Sequence, residues 1–256
     1  MSARDATTRF GDRVDDYVRH RPGYPPALVD SLSRECGLGP GQVVADIGSG
    51  TGKLTELLLA AGVRVLAVEP NAGMRGAAER LLGGIAGFRS VDGTAEATGL
   101  APASVDLVTA AQAFHWFDQA AARVEFARIL KPGGSVALVW NERDDDASEF
   151  LRDYERCLRD CSVDYGAVDH RRTASRDRIA AFFAPAGFRE AEFPNGQDLD
   201  LDGLRGRYLS SSYALKRGHE RFDEAMAALA EIFARHQRDG RVRIEYRTRL
   251  YHGRLA

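Results

Sequence analysis

The residue types that could do chemistry are concentrated in one stretch, residues 43–54. A short apolar run rich in β-branched residues ends at Asp46, and three glycines (Gly48, Gly50 and Gly52) then alternate with small polar residues before an apolar helical pattern begins. Glycine permits a sharp turn and the close approach of a ligand, which a Cβ would block. The free N–H groups at the start of the following helix favour a polar or anionic ligand group. The stretch therefore predicts a buried strand, a tight turn and a helix that open a nucleotide-binding α/β unit.

The spacing of these glycines decides between ligands. A Gly-x-Gly-x-x-Gly dinucleotide motif would need glycine at Lys53, and a phosphate-binding Walker loop would need Gly and Ser or Thr where Ile47 and Leu54 stand. What remains is Asp-x-Gly-x-Gly-x-Gly, which resembles the glycine motif of the class I S-adenosylmethionine-dependent methyltransferases. Since that cofactor carries an ammonium and a carboxylate, Asp46 can lie near the amino group and the amides of the turn, with Ser49, can face the carboxylate. A structural glycine turn and another nucleotide stay open as alternatives.

An acid follows the second predicted strand. Glu69 lies 19 residues after Gly50, about the spacing at which an acid meets ribose hydroxyls in the related dinucleotide fold. Pro70 ends the strand, and Asn71 can cap a helix that runs through Met74. Ribose binding by Glu69 is the preferred interpretation, and a solvated acid at a strand end is the alternative.

The resemblance extends over residues 10–142. Residues 88–96 form a third strand and a loop that borders the adenine in these methyltransferases, and residues 112–118 look like the Phe-His-Trp segment of the branch that includes trans-aconitate and ubiquinone/menaquinone-type methyltransferases. The residues implied to bind S-adenosylmethionine, or its product S-adenosylhomocysteine, are Asp46, Gly48, Ser49, Gly50, Gly52, Glu69, Pro70, Asn71, Met74, Gly93, Thr94, Ala95, Glu96 and Gln112.

Candidate substrate and cap residues come from three places. Residues 10–25 resemble the Phe…Tyr…Arg-Pro-x-Tyr-Pro segment that lies over the cofactor in the same branch, although an edge helix is the alternative. His115 is a candidate proton acceptor because its ordinary pKa suits neutral pH, but a role in shaping the loop is favoured. The other substrate or cap candidates are Tyr17, Arg21, Tyr24, Phe114, Trp116, Asn141, Ser212 and Tyr213.

The pattern of strands and helices predicts a Rossmann-like α/β fold. Residues 43–140 alternate strand and helix five times, which implies a parallel sheet covered on both faces. Residues 188–193 are predicted as a sixth strand, and the strictly alternating residues 241–251 are, by resemblance, an antiparallel seventh. One methyltransferase domain is expected over residues 1–256, with a cap segment (1–24), a cofactor-binding core (40–142), a helical insertion covering the substrate (144–178) and a C-terminal part (179–256). A surface excursion is the alternative for the insertion.

The composition limits the classes of binding partner that we expect for this chain. The net charge is −2 and the isoelectric point is near 6.3, so no global basic footprint indicates nucleic acid or an anionic membrane. Of 35 basic residues only Lys53, Lys131 and Lys216 are lysines, a skew that reflects coding bias or suits carboxylate recognition. No apolar run resembles a leader or a membrane span, and a cytoplasmic protein is expected. Cys157 and Cys161 lack enough neighbouring ligands, with His170 the only further candidate, so no metal is predicted.

The sequence therefore predicts an enzyme that methylates oxygen, nitrogen or carbon of a small molecule, with a carboxylic acid as one candidate acceptor. The alternative is a protein with the same fold and cofactor pocket that does other chemistry, as a cyclase or a structural partner. A nucleic-acid or protein methyltransferase is disfavoured because the Asn/Asp-Pro-Pro-aromatic signature is absent where residues 112–115 stand. The acceptor, and the choice between monomer and homodimer, stay open.

Overall fold

The alternation of strands and helices that begins at residue 43 is present in the computed structural model, which describes residues 14–163, 165 and 175–255. The strands are β1 (Val43–Ile47), β2 (Arg64–Val68), β3 (Phe88–Val91), β4 (Val105–Ala111), β5 (Leu130–Arg143), β6 (Arg189–Leu199) and β7 (Val242–Gly253). The described helices are α1 (Val14–His20), α2 (Pro26–Cys36), α3 (Lys53–Ala60), α4 (Ala72–Leu82), α5 (Gln119–Ile129), α6 (Glu149–Asp160), α7 (Arg176–Phe183), α8 (Leu201–Leu209) and α9 (Phe222–His236).

The seven strands form one sheet in the order β3-β2-β1-β4-β5-β7-β6. Strand β7 is antiparallel to both of its neighbours, whereas β1 to β5 pair in parallel. The predicted mostly parallel sheet with an antiparallel seventh strand is thereby confirmed. From β1 the chain adds β2 and β3 on one side and then returns to add β4 on the other side, so the strand order reverses between β1 and β4. Ligands of such sheets bind in the crevice at the carboxyl ends of the strands next to that point.

Helices cover both faces, as the parallel strands require. On one face Phe126 of α5 and Phe182 of α7 pack with Trp140 of β5. On the other face Leu32 of α2 and Leu58 of α3 join one core cluster with Val139, the residue before Trp140. Adjacent residues of β5 thus serve opposite cores, because side chains alternate between the faces of a strand.

Strand β6 extends six residues beyond the end of the predicted strand, residues 188–193. The segment Pro194-Asn195-Gly196 reads as a turn, but it pairs with Arg247, Tyr246 and Glu245 of β7. Proline is accepted here because β6 is the outermost strand of the sheet, where its missing N–H removes no ladder hydrogen bond. Helix α7 was not predicted, although its buried Ile179, Phe182 and Phe183 have helical spacing.

A third apolar core lies at the β7 side of the sheet. Tyr154 of α6, Tyr208 of α8 and Leu229 of α9 pack together with Ile244 and Tyr246 of β7. Helix α6 lies within the predicted insertion, residues 144–178. Residues 164 and 166–174 of that segment lie outside the described residues, and its role as a substrate cover stays a prediction.

Helix α1 is the described part of the predicted N-terminal cap segment; residues 1–13 are not described. It packs against α8, where a Cβ added to Gly206 would lie 2.2 Å from the Cδ2 and Nε2 atoms of the His20 ring. Helix α1 also approaches α4, because a Cβ added to Gly73 of α4 would lie 3.5 Å from Cγ2 of Val14. Glycine at position 206 therefore allows α1 and α8 to pack in direct contact.

Candidate functional site

The glycine turn after β1 lies in the crevice between β1 and β4. Gly48, Gly50 and Gly52 all have positive φ angles, of 66°, 57° and 86°. A Cβ at Gly48 would lie 2.6 Å from the Cβ of Ala113, and one at Gly52 would lie 2.5 Å from Leu82 Cδ1, whereas a Cβ at Gly50 would meet nothing within 4 Å. The outer two glycines thus let the turn pack, and the middle one faces open space.

Glu69, directly after β2, is joined to this turn. One carboxylate oxygen accepts the N–H of Gly50 at 2.9 Å and the other accepts the N–H of Asn71 at 2.8 Å. Burial raises the pKa of Glu69, and these two N–H groups oppose that shift. Arg75 supports the same corner by donating to the Glu69 carbonyl at 2.8 Å and to the Asp92 carboxylate at 3.1 Å. No motif distinguishes Arg75 from the many other arginines, so sequence reasoning missed it.

Asp46 lies beneath the turn and not on the open rim. It is 1% exposed, and its two carboxylate oxygens accept hydrogen bonds from Thr55 Oγ1 at 2.6 Å and Thr109 Oγ1 at 2.8 Å. Burial raises the pKa of Asp46 to about 6, against the opposing effect of the threonine hydroxyls. Asp46 therefore fastens the turn to α3 and β4, a role that the motif did not indicate.

The loop after β3 is held from the side of α5. Thr98 donates through both its N–H and its hydroxyl to Glu125, and a Cβ at Gly93 would lie 2.7 Å from the Thr98 carbonyl. Glu96 accepts the N–H of Asp118, the residue that caps α5, at 2.9 Å. The anchors Thr98 and Glu125 had no signal in the sequence.

The other cofactor candidates take less direct positions. Asn71 caps α4 by accepting from the N–H groups of Gly73 and Met74. Thr94 turns the loop by accepting the N–H of Ala97. Pro70 separates Glu69 from the cap. Met74 and Ala95 are buried, as are Asp46, Glu69 and Asn71 of the predicted set.

Gln112 and Asn141 connect the ends of β4 and β5. Gln112 has a φ of 56°, a left-handed conformation that is unfavourable for a residue with a Cβ, and its side chain donates to the Asn141 carbonyl at 3.0 Å. Asn141 is 5% exposed and accepts from Thr248 Oγ1 of β7 at 2.6 Å and from Asn195 Nδ2 of β6 at 3.1 Å. The rim is thus continuous from β4 to β6.

The segment that follows α1, which we call the strap (residues 21–25), is fastened across this rim. The carbonyl of Gly23 accepts from Asn141 Nδ2 at 3.0 Å and from Asn195 Nδ2 at 2.9 Å. Gln197 donates to the carbonyl of His20 at 3.1 Å. The structure therefore brings the predicted cap segment to the carboxyl ends of β5 and β6, and Asn195 and Gln197 were missed because β6 was predicted too short.

Strap residue Tyr24 reaches towards β1. Its ring packs on the core cluster that contains Leu54 of α3. Burial, Tyr17 and Asp46 all raise the pKa of Tyr24. Tyr24 therefore lies close enough to Asp46, beneath the glycine turn, for the two side chains to interact electrostatically.

The Phe-His-Trp segment is a 3₁₀ turn after β4, Phe114–Trp116. Phe114 is fully buried, with its ring 4.9 Å from Phe182 and 6.1 Å from Trp140, so the structure places it in the core and not at the substrate surface. His115 and Trp116 are half-buried, with ring centroids 4.8 Å apart. The choice between a base and a structural role for His115 stays open.

Ser212 and Tyr213 follow α8 and are half-buried. Burial would raise the pKa of Tyr213, but Arg207, Arg143 and Arg21 together lower it. This group of arginines and tyrosines lies beside the strap, and Arg207 and Arg143 were not among the predicted site residues.

The described residues fit the predicted cofactor. Besides the open space at Gly50, the hydroxyls of Ser49 and Thr51 are buried without a hydrogen-bond partner among the described residues. Glu69 has unused acceptor positions beside them, since each carboxylate oxygen can accept a further bond. Hydroxyl groups and unfilled space around an acid suit a ligand that carries ribose hydroxyls and an amino-acid end.

The described residues offer neither a metal site nor a membrane-spanning helix. No group of three or more His, Cys, Asp or Glu side chains is positioned to hold a metal in the described ranges, and the candidate His170 lies outside them. Cys157 and Cys161 are free thiols, and burial raises the pKa of Cys157 to about 12. Within the described part of the chain, no helix has the length and apolarity needed to cross a membrane.

Comparisons with known proteins agree with this architecture. The family model described as a methyltransferase domain matches residues 45–138. An uncharacterized methyltransferase of Mycobacterium tuberculosis is 43% identical over 144 residues, 56% of this chain and 56% of its own length, so the chain matches about half of that relative. An uncharacterized methyltransferase-like protein of Schizosaccharomyces pombe is 30% identical over 249 residues, 93% of this chain and 92% of its own.

A solved structure shows the same fold over nearly the whole chain. The S-adenosylmethionine-dependent methyltransferase from Thiobacillus denitrificans, in complex with S-adenosyl-L-homocysteine, is 19% identical, covers 95% of this chain and 97% of its own, and has a TM-score of 0.53. Together, the sheet order, the family model and the S. pombe relative confirm the family resemblance noted in the sequence, and the chain belongs to the class I S-adenosylmethionine-dependent methyltransferases.

Proposed function

We propose that this chain transfers a methyl group from S-adenosylmethionine to a small-molecule acceptor, with a carboxylic acid as the leading candidate. The observation that carries the proposal is the convergence of the glycine turn, Glu69 and the strap on one rim. The turn and Glu69 are directly bonded at 2.9 Å, and Asn141 joins the strap to the same rim at 3.0 Å. A donor site and a cover are therefore adjacent, as a transfer between two bound molecules requires.

The bound cofactor supplies a methyl group that is already activated on a positively charged sulfur. The work left to the chain is to hold donor and acceptor in line and to exclude water, which accounts for most of the rate in such displacements. In this assignment Gly50 leaves room for the cofactor, Glu69 accepts from its ribose hydroxyls, and Gln112 and Asn141 set the height of the strap above it.

The strap is the part that would exclude water. Two side-chain amides, from Asn141 and Asn195, hold the same carbonyl of Gly23. Because both come from strands, the strap is positioned by the rigid sheet. Tyr24 and Arg21, on either side of Gly23, would then face the bound molecules, with Tyr17 completing the cover.

A proton acceptor is needed only when the acceptor loses a proton on methylation. His115 follows the strand whose end lies at the crevice and is half-buried, so it is the first candidate. A carboxylate acceptor is already deprotonated at neutral pH and needs no base. The structural role of His115 and the carboxylic acid acceptor are therefore compatible proposals.

The direct test is methyl transfer with radiolabelled S-adenosylmethionine and a small-molecule extract. We expect label in a product of low molecular mass with the wild-type chain and at least tenfold less with Glu69→Gln. Binding of S-adenosylhomocysteine without any labelled product would contradict the proposal and favour the alternative of a cofactor-binding protein that does other chemistry. Label that appears only in protein or nucleic acid would contradict the small-molecule assignment.

A further inference from the structure

Two arginines from different elements meet at the turn that ends α8. Arg21 of the strap donates through Nη2 to the carbonyl of Ser210 at 3.0 Å, and Arg207 of α8 donates through Nη1 to Ser211 Oγ at 3.0 Å. Since Ser210 and Ser211 are consecutive, the two guanidinium groups bond to the same turn. Burial and then the charge of Arg207 lower the pKa of Arg21, which is consistent with that proximity.

Neither arginine has an acidic partner within residues 14–163, 165 and 175–255. Arg207 is 6% exposed, and its hydrogen bonds go to neutral oxygens: the Tyr246 hydroxyl at 2.9 Å, besides Ser211. Arg21 Nε is buried and makes no hydrogen bond to a described residue. A charge taken out of water without a partner costs several kcal/mol. A bound anion between two such charges would offset the cost of burying them.

A third arginine nearby shows the contrast. Arg143 at the end of β5 is buried to a similar degree, but it is ion-paired with Asp145 and Glu155 and also donates to the Tyr165 hydroxyl. The fold therefore supplies acids to Arg143 and withholds them from Arg21 and Arg207. Of these three buried arginines, only Arg21 and Arg207 lack an acidic partner among the described residues.

Aromatic groups complete the walls around the pair. The guanidinium carbon of Arg21 lies 5.1 Å from the centre of the Tyr17 ring. Tyr246 receives a bond from Arg207 and donates its own proton to Gln197 Oε1 at 3.1 Å. Half-buried Tyr213, whose pKa the arginines lower, lies within reach of their charge. Guanidinium groups bind carboxylates and phosphates, and the neighbouring aromatic rings could pack against the rest of a small organic molecule that carries such a group.

The position of the pair separates it from the cofactor. Arg207 is bonded to Tyr246 of β7, and β7 is three strands from β1 in the sheet, so the axes of these two strands are about 14 Å apart at the usual strand spacing. Arg21 belongs to the strap, which Asn141 holds at the end of β5 between the two. The pair therefore lies on the acceptor side of the rim.

We infer that Arg21 and Arg207 form a binding site for an anionic oxygen group of the methyl acceptor, a carboxylate or a phosphate. Only the assignment of the anion to the methyl acceptor rests on the proposed function; the anion site itself follows from two buried charges that have no acidic partner in the described part of the chain. Arg207 supplies one charge from α8 and Arg21 supplies a second charge from the strap, so an anion bound between them would also link the strap to α8.

The test measures the binding of anions by calorimetry, apart from the turnover that the labelling assay measures. The chain saturated with S-adenosylhomocysteine is titrated calorimetrically with trans-aconitate, salicylate and indole-3-acetate, each beside its uncharged amide, and with phenyl phosphate as the phosphate arm. The variants are Arg207→Gln, Arg21→Gln and Arg207→Lys. The matched control is Arg205→Gln, two residues away on α8, where the arginine is ion-paired with Asp202 at 3.8 Å.

We expect at least one acid to bind, its amide to bind at least tenfold more weakly, and Arg207→Gln and Arg21→Gln each to weaken the acid by roughly 10- to 100-fold, since hydrogen bonds to charged groups contribute that much. The affinity for S-adenosylhomocysteine and the affinity of Arg205→Gln for the acid should change less than twofold. Arg207→Lys should recover part of the loss, which a purely structural role would not produce.

Three outcomes would overturn the inference: no acid or phosphate in the panel binds, acid and amide bind equally, or the variants bind the acid as the wild type does. A tenfold loss of S-adenosylhomocysteine affinity in both glutamine variants would assign the pair to the cofactor's own carboxylate and would also overturn it. Acid binding that depends on Arg207, without any methyl transfer in the labelling assay, would instead leave the anion site standing and refute the proposed function.

Discussion

The sharpest perturbation of the donor site is Gly50→Ala, because Gly50 differs from its neighbours in one respect. A Cβ at Gly48 or Gly52 would clash with the protein at 2.6 or 2.5 Å, whereas a Cβ at Gly50 would enter open space. The substitution should therefore leave the fold intact and fill only the place where a ligand approaches the backbone.

The expected cost to stability follows from the φ of 57° at this residue. A residue with a Cβ in the left-handed region is destabilised by about 1–2 kcal/mol relative to glycine. For a chain of this size, that corresponds to a fall in Tm of roughly 2–8 °C. The affinity for S-adenosylhomocysteine should fall at least tenfold, or about 1.4 kcal/mol, because the methyl group occupies the approach to the N–H that Glu69 orients.

Gly240→Ala is the matched control. Gly240 also has a positive φ, of 73°, and an added Cβ there also meets nothing within 4 Å, but it lies in the turn between α9 and β7. Thermal unfolding should show a similar loss of stability in both variants, and calorimetry should show weakened binding only in Gly50→Ala. Wild-type affinity in Gly50→Ala would refute the placement of the ligand at the turn, and an equal loss of affinity in Gly240→Ala would show that strain alone acts at a distance.

Three further predictions concern the residues around this turn. Glu69→Gln replaces one acceptor of a backbone N–H by an amide donor, so the calorimetric affinity for S-adenosylhomocysteine should fall roughly 10- to 100-fold. Glu231→Gln, at an exposed acid of α9, is the control, and unchanged binding in Glu69→Gln would contradict the ribose assignment. Burial raises the pKa of Asp46 from 3.8 to about 6, so its protonation favours the folded state: the wild type should gain stability relative to Asp46→Asn as the pH falls from about 7 to 4, and the gain should level off below 3.8. Urea unfolding of both proteins across that range measures this difference, and a difference that grows with rising pH has the wrong sign for a buried acid. Asn195→Ala removes one of the two amides that hold the Gly23 carbonyl, and hydrogen exchange in residues 21–25 should become faster by about fivefold while exchange in β1 is unchanged; equal exchange in both proteins would show that Asn141 holds the strap alone.

Local patterns were sufficient for the donor half of the molecule. The burial of β1 and the positive φ angles of Gly48, Gly50 and Gly52 follow from apolar runs and glycine spacing, which are properties of neighbouring residues. The approach of Glu69 to Gly50 follows from the parallel pairing of β1 and β2, which the alternation of strands and helices implies. Asp46 shows the limit of this reasoning, because the motif places it at the turn but cannot state that Thr55 and Thr109 enclose it.

The acceptor half depends on contacts between distant residues. Arg21 and Arg207 are 186 positions apart, and only the antiparallel return of β7 beside β5 brings α8 under the strap. The extension of β6 through Pro194 places Asn195 and Gln197 against the strap, and that extension is tolerated because β6 is an edge strand, a fact of sheet order. A chain rich in arginine does not reveal that Arg21 and Arg207 are buried without an acidic partner among the described residues. Sequence alone thus determined the fold family and predicted the edge of the sheet at which the cofactor would bind, since both arise from local spacing. The proposed anion site depends instead on burial and on charge pairing across the sheet, which only the tertiary structure decides.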